Sequence, residues 1–177
     1  MCKLIRVPCK IKMICYCHLL QGVPGVDVYV EISMSVSQDH PVVLVVEGEH
    51  ELRKFIRGAL EGAGFRIEES DTVGLASALL GQIEPDIILV DLALPNIGGL
   101  ETCSILRALP ASARVPILIM LDEDEIDVIP QAFERGATDF IMKPLNGGIL
   151  SHRLRYAIQV VDDLTGSYCH FTFQFFV

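Results

Sequence analysis

Three short stretches, Val42 to Val46, Ile87 to Val90 and Ile117 to Leu121, are apolar at every position. Continuous runs of this length mark strands covered on both faces, as the central strands of a parallel sheet are. Between them the spacing becomes helical. Leu52, Phe55, Ile56, Ala59, Leu60 and Ala63 recur at i, i+3, i+4, i+7, i+8 and i+11, and Gly64 follows as a stop. Arg66 to Ser70 reads as a polar edge strand, Asp71 as a cap and Thr72 to Gly81 as a second helix. A third helix is predicted from about Gly99 to Leu109, with Thr102, Ile105, Leu106 and Leu109 on one face and Cys103 packed in the core. A fourth, weakened by Pro130, spans about Glu123 to Arg135. Phe140 to Met142 is the last strand, and a helix from about Gly148 carries Leu150, Leu154, Ala157, Ile158 and Val161.

Strand and helix thus alternate five times, and right-handed crossovers turn that order into an α/β fold, a doubly wound parallel (βα)5 sheet in a single domain. In such sheets a site forms beyond the carboxyl ends of the strands, where strand order reverses. The residues at those ends are Glu47-Gly48-Glu49, Asp91, Leu121-Asp122 and Lys143-Pro144. Two carboxylates and a lysine converging there outline a site for a hard cation and a phosphoryl group. The carboxylates suit Mg²⁺ and the ammonium neutralises developing negative charge. No phosphate-cradling glycine loop accompanies them, so nucleotide binding of the G-x-G-x-x-G or G-x-x-x-x-G-K kind is unsupported.

Four segments now carry a specific resemblance. They are Val-Val-Glu47-Gly-Glu with Leu52-Arg53; Asp86-Ile-Ile-Leu-Val-Asp91-Leu-Ala-Leu-Pro95-Asn-Ile-Gly98-Gly99-Leu-Glu; Val115-Pro-Ile; and Phe133-Glu-Arg-Gly136-Ala-Thr-Asp-Phe140-Ile-Met-Lys143-Pro144. Residues 41–160 resemble the receiver domain of two-component response regulators. The resemblance implies a flavodoxin-like sheet with strand order 2-1-3-4-5. It implies that Asp91 accepts a phosphoryl group from a sensor histidine kinase or phosphotransfer protein, that Lys143 contacts the phosphoryl oxygens, and that Glu47, Asp91 and the Ala93 carbonyl hold Mg²⁺. It further implies a cis peptide before Pro144 and a switch pair at positions 121 and 140. Such a chain is a regulatory phosphoacceptor and not an enzyme.

Two positions depart from the family pattern. The family usually places two acidic residues after the first strand, where this chain has Glu47-Gly48. Glu49, one residue on, is expected to point elsewhere by alternation, which leaves Mg²⁺ weakly held or absent. The family carries Ser or Thr after the fourth strand; Leu121 stands there and donates no hydrogen bond, so Phe140 lacks its switch partner. Two readings follow: a phosphorylatable receiver with weak Mg²⁺ and altered output, or a pseudo-receiver serving as a phosphorylation-independent interaction or dimerisation module. The first is favoured. A third, a small hydrolase using Asp91 as its nucleophile, needs a general base that the sequence does not offer. The acidic run from Asp122 to Asp127 reads as a solvated helix start, His50 as a surface residue, and Gly48 as permitting a tight turn.

Composition adds the boundaries. The chain has 177 residues, 51% hydrophobic and 21% charged, with a net charge of −9. That acidity argues against nucleic acid as a partner. No apolar run approaches the ~18 residues of a membrane span, and with no export signal the expected compartment is the cytoplasm. Residues 41–160 hold 18 acidic against 10 basic residues, whereas Lys3, Arg6, Lys10 and Lys12 and four of six cysteines fall in the first 17. Residues 1–40 are therefore read as a non-native or unstructured extension, with Met34 as the natural start. Residues 161–177 are read as the start of a linker and a tail rich in phenylalanine. Within the latter, Asp162-Asp163-Leu164-Thr165-Gly166-Ser167-Tyr168 resembles the opening of GGDEF-type diguanylate cyclase domains, which implies a receiver truncated from such a protein. Homodimerisation is compatible with every reading of the fold.

Overall fold

The computed structural model describes residues 40–165. Five strands, β1 (Val42–Val46), β2 (Arg66–Ser70), β3 (Ile87–Asp91), β4 (Ile117–Leu121) and β5 (Asp139–Met142), alternate with five α-helices. The helices are α1 (His50–Gly62), α2 (Val73–Leu80), α3 (Gly98–Ala108), α4 (Ile129–Glu134) and α5 (Gly147–Thr165). All strand pairs are parallel, in the order β2-β1-β3-β4-β5.

Every residue of β1, β3 and β4 is buried, because helices cover both faces. The two-residue strand period sorts these side chains into two layers. Val43, Val45, Leu89, Leu118 and Met120 pack with Ile56 and Leu60 of α1 and Leu150 and Leu154 of α5. Leu44, Val46, Ile88, Val90, Ile119 and Leu121 pack on the other side with Ala76, Leu80, Cys103 and Leu106. Removing one such leucine or isoleucine from water contributes roughly 2 kcal/mol.

Several local expectations give way to tertiary context. Thr72, not Asp71, caps α2, its hydroxyl accepting from the Leu75 N–H at 3.4 Å. The fourth helical segment is divided into a 3₁₀ turn over Glu123–Val128 and α4, with Pro130 in the first turn of α4, where its missing N–H costs nothing. The inward face of α3 is Gly99, Thr102, Cys103 and Leu106, whereas Ile105 is turned outward. Phe55 of α1 is likewise 46% exposed. The backbone of α5 continues to Thr165. The cysteine-rich head, Met34, the phenylalanine-rich tail and the side chains of the GGDEF-like segment lie outside the described residues.

Candidate functional site

Strand register assembles the site. Val46 is level with Val90, so the next residues, Glu47 and Asp91, emerge together at the carboxyl edge of the sheet. Leu121 is level with Met142, which brings Lys143 to the same edge, its N–H donating to the Leu121 carbonyl at 2.9 Å. The Lys143–Pro144 peptide is cis. The Lys143 ammonium forms an ion pair with Asp91 Oδ1, and Asp122 Oδ2 lies farther off at 3.8 Å.

Glu47 and Asp91 are buried, 2% and 3% exposed. Burial pushes the Glu47 carboxyl above its ordinary range. The Glu49 N–H and Lys143 oppose that shift, while the Asp91 charge reinforces it. Burial would lower the Lys143 ammonium, but the contact with Asp91 and the charges of Asp91, Glu47 and Asp122 outweigh it and raise the ammonium above the ordinary lysine value. Lys143 is therefore a fixed positive charge at neutral pH. Glu47 Oε1 accepts from the Glu49 N–H at 2.8 Å, whereas Oε2 is buried without a hydrogen-bond partner. A buried, unpartnered carboxylate oxygen beside a second carboxylate is a donor set that fits a hard divalent cation.

The loop after β3 is held by close backbone approach. A Cβ on Gly99 would lie 2.2 Å from the Asp91 carbonyl oxygen, so only glycine lets α3 begin directly against the strand end. The Gly99 N–H closes the loop on the Leu92 carbonyl at 2.9 Å. Ala93 occupies the exposed turn between them. Gly48 has a different reason from the tight turn expected of it. Its φ is not positive, but a Cβ there would stand 2.8 Å from Cδ of Pro95. A side chain at position 48 would therefore require Pro95 of the β3–α3 loop to shift.

At the end of β4, Leu121 is 1% exposed and belongs to the core layer with α2, α3 and α4. Phe140 is half-buried and meets Phe133 of α4 edge to face, with ring centroids 6.5 Å apart and planes at 79°. Glu49 is exposed at the start of α1 and adds no carboxylate to the pocket. His50 pairs with Glu51 on the surface, and Asp122, Glu123, Asp124 and Asp127 are exposed. Sequence reasoning quoted Arg53 only as part of the resemblance and gave it no role; its guanidinium reaches back from α1 to the carbonyls of Glu47 and Gly48. Asp122, placed at the end of β4 by the sequence but given no role beyond a helix start, also faces Lys143. A groove of about 420 Å³ runs beside the ammonium, between Leu52 and Phe55 of α1 and Pro144 and Leu145. No helix among the described residues is long and apolar enough to cross a membrane.

Comparison with known proteins agrees with this architecture. The family model of the response regulator receiver domain matches residues 43–155. The KDP operon transcriptional regulatory protein KdpE of Escherichia coli is 36% identical over 117 residues, which cover 66% of this chain and 51% of that protein. The chain thus spans about half the length of this relative. A putative response regulator from Chloroflexus aurantiacus superposes with a TM-score of 0.64 at 25% identity, over 68% of this chain and 98% of that one. The receiver domain of a Pseudomonas aeruginosa sensor histidine kinase, solved with a magnesium ion coordinated in its active-site cleft, has the same fold, with a TM-score of 0.62 at 23% identity over 68% of this chain and 98% of that one. The family match covers the segment that supplies the parallel sheet and its acidic edge, and the chain accordingly belongs to the response regulator receiver domain family.

Proposed function

We propose that Asp91 is the phosphoacceptor of this receiver domain, supplied by a histidine kinase or phosphotransfer protein in the cytoplasm. The observation that carries the reading is the ion pair between Lys143 and Asp91 beside the buried carboxylate of Glu47. A carboxylate oxygen of Asp91 forms the new bond to phosphorus as the bond from phosphorus to the donor's histidine nitrogen breaks. The Lys143 ammonium then donates to the transferred phosphoryl oxygens, to which part of the Asp91 charge has moved. Glu47, Asp91 and the Ala93 carbonyl would hold Mg²⁺, which when bound neutralises charge on the phosphoryl group. With Gly48 in place of an acid, the cation is held more weakly than by a pair of acids. Leu121 offers no hydroxyl to the phosphoryl group, so its retention falls to Lys143 and the backbone. The groove lined by Leu52 and Phe55 gives a donor protein apolar surface next to the ammonium.

The chain is regulatory: a hydrolase would need a base against Asp91, and the nearby His50 is paired with Glu51 on the surface. A second reading, an interaction or dimerisation module that works without phosphorylation, is favoured by Leu121 and Gly48 together with the exposed Ile126 and Phe133 near Phe140. Incubation with acetyl phosphate and Mg²⁺ followed by intact-mass measurement separates the two. One phosphoryl adduct on the wild type and none on Asp91→Asn is expected. An unmodified wild type would favour the interaction module, and an equal adduct on Asp91→Asn would mean that another residue carries the phosphoryl group and would overturn the assignment.

A further inference from the structure

Arg53 stands in the second turn of α1, near the positive end of the helix dipole, where a cation is unfavourable. Its Nη1 donates to the Glu47 carbonyl at 2.6 Å and to the Gly48 carbonyl at 2.8 Å. No carboxylate pairs with it among the described salt bridges. A charged donor is therefore directed onto the carbonyls of Glu47 itself, the one buried acidic residue at the β1 end, and of Gly48.

Three ties converge on Glu47. Its N–H donates to the Ser70 carbonyl at 2.9 Å, its own carbonyl is gripped by Arg53, and its Oε1 accepts from the Glu49 N–H. They leave Oε2 buried without a hydrogen-bond partner. Glycine at 48 has no side chain with which to anchor this loop and is the most costly residue to order. Arg53 supplies the missing restraint from outside the loop.

We propose that Arg53 is a positioning residue for the cation site: by clamping the Glu47 and Gly48 carbonyls it fixes the single β1-end carboxylate with Oε2 free for a divalent cation. This rests on the assignment of Glu47 and Asp91 as the cation's carboxylates. Residues that orient metal ligands typically change affinity by about 10–100-fold when altered, and Arg53→Met should do the same.

Mn²⁺ serves as the probe, with free ion counted by electron paramagnetic resonance, on the full chain and on Arg53→Met, Arg53→Lys and Glu47→Gln. Circular dichroism of each metal-free variant reports the fold. Expected results are a wild type that binds, a Glu47→Gln variant that has lost binding, an Arg53→Met variant weakened about 10–100-fold with its fold retained, and partial recovery in Arg53→Lys. If Arg53→Met fails to fold, Arg53→Lys decides: its Nζ ends one bond short of the Nη1 that donates to both carbonyls, so weakened binding supports the proposal and wild-type affinity overturns it. Wild-type affinity in a folded Arg53→Met alongside loss in Glu47→Gln overturns the positioning role while leaving the Glu47 assignment intact. No binding by the wild type overturns the assignment and the positioning role together.

Discussion

Lys143 and Asp91 meet as an ion pair whose side chains are only 14% and 5% exposed. The same lysine also lowers the cost of the buried Glu47 charge. Removing it strands two carboxylates in a site with little water. Breaking one side of a buried pair typically costs about 3–5 kcal/mol, and because Lys143 retains some solvent, Lys143→Met should cost about 3 kcal/mol. Urea denaturation of the metal-free variant measures this, and addition of Mg²⁺ should restore part of the loss by neutralising the same carboxylates.

Glu47 predicts the pH dependence. Its carboxyl titrates higher in the folded chain than in the unfolded one, chiefly because it is buried. Between the ordinary value of 4.5 and the higher folded value, the folded chain holds more protons than the unfolded chain. The Glu47 contribution is therefore fully present below the ordinary value and is lost as pH rises through the folded one. Glu47→Gln should remove that slope from the metal-free chain while abolishing Mn²⁺ binding. Denaturation midpoints measured across this window check the first outcome, and a slope unchanged in the variant would contradict it.

Leu121 is packed, not merely present at a switch position. Leu121→Thr shortens a side chain that fills the layer with α2, α3 and α4 and buries a hydroxyl beside it. The loss should be about 2–3 kcal/mol, readable as a shifted denaturation midpoint. A variant as stable as the wild type would mean that the end of β4 is looser than its burial indicates.

Arg107 ties the far side of the sheet together. Its guanidinium donates to the carbonyls of Ser112, Val115 and Gly136 at 2.7 to 3.0 Å, joining the α3–β4 connection to the start of β5. Several carbonyls would lose charged donors at once, so Arg107→Ala should cost about 3 kcal/mol, measured by urea denaturation. Asp91 phosphorylation in the surviving folded fraction should be unaffected, because these contacts lie at the opposite end of β4.

The strands and the acidic edge were legible because a sheet covered on both faces demands uninterrupted apolar runs, and the residue after each run must emerge at the same edge. Val46, Val90 and Leu121 made Glu47, Asp91 and Asp122 readable in this way. What escaped was decided by tertiary contacts. Phe55 and Ile105 satisfy a helical period yet face outward, since a period gives a stripe and not its width. The capping choice between Asp71 and Thr72 depends on one local hydrogen bond. Gly48 showed a missing acid in the sequence, but only folding shows how closely Pro95 approaches it. Arg53 was visible as part of the resemblance, but its contacts are to carbonyls, which carry no sequence signal.

The central claim is that the phosphoryl group resides on Asp91, and an acyl phosphate can be located chemically. Borohydride reduces a phosphorylated aspartate to homoserine, and peptide mass spectrometry then gives its position. After treatment with acetyl phosphate and Mg²⁺, homoserine is predicted at position 91 and nowhere else. Its absence from position 91, or reduction at Asp122 or Glu47 instead, would contradict the assignment.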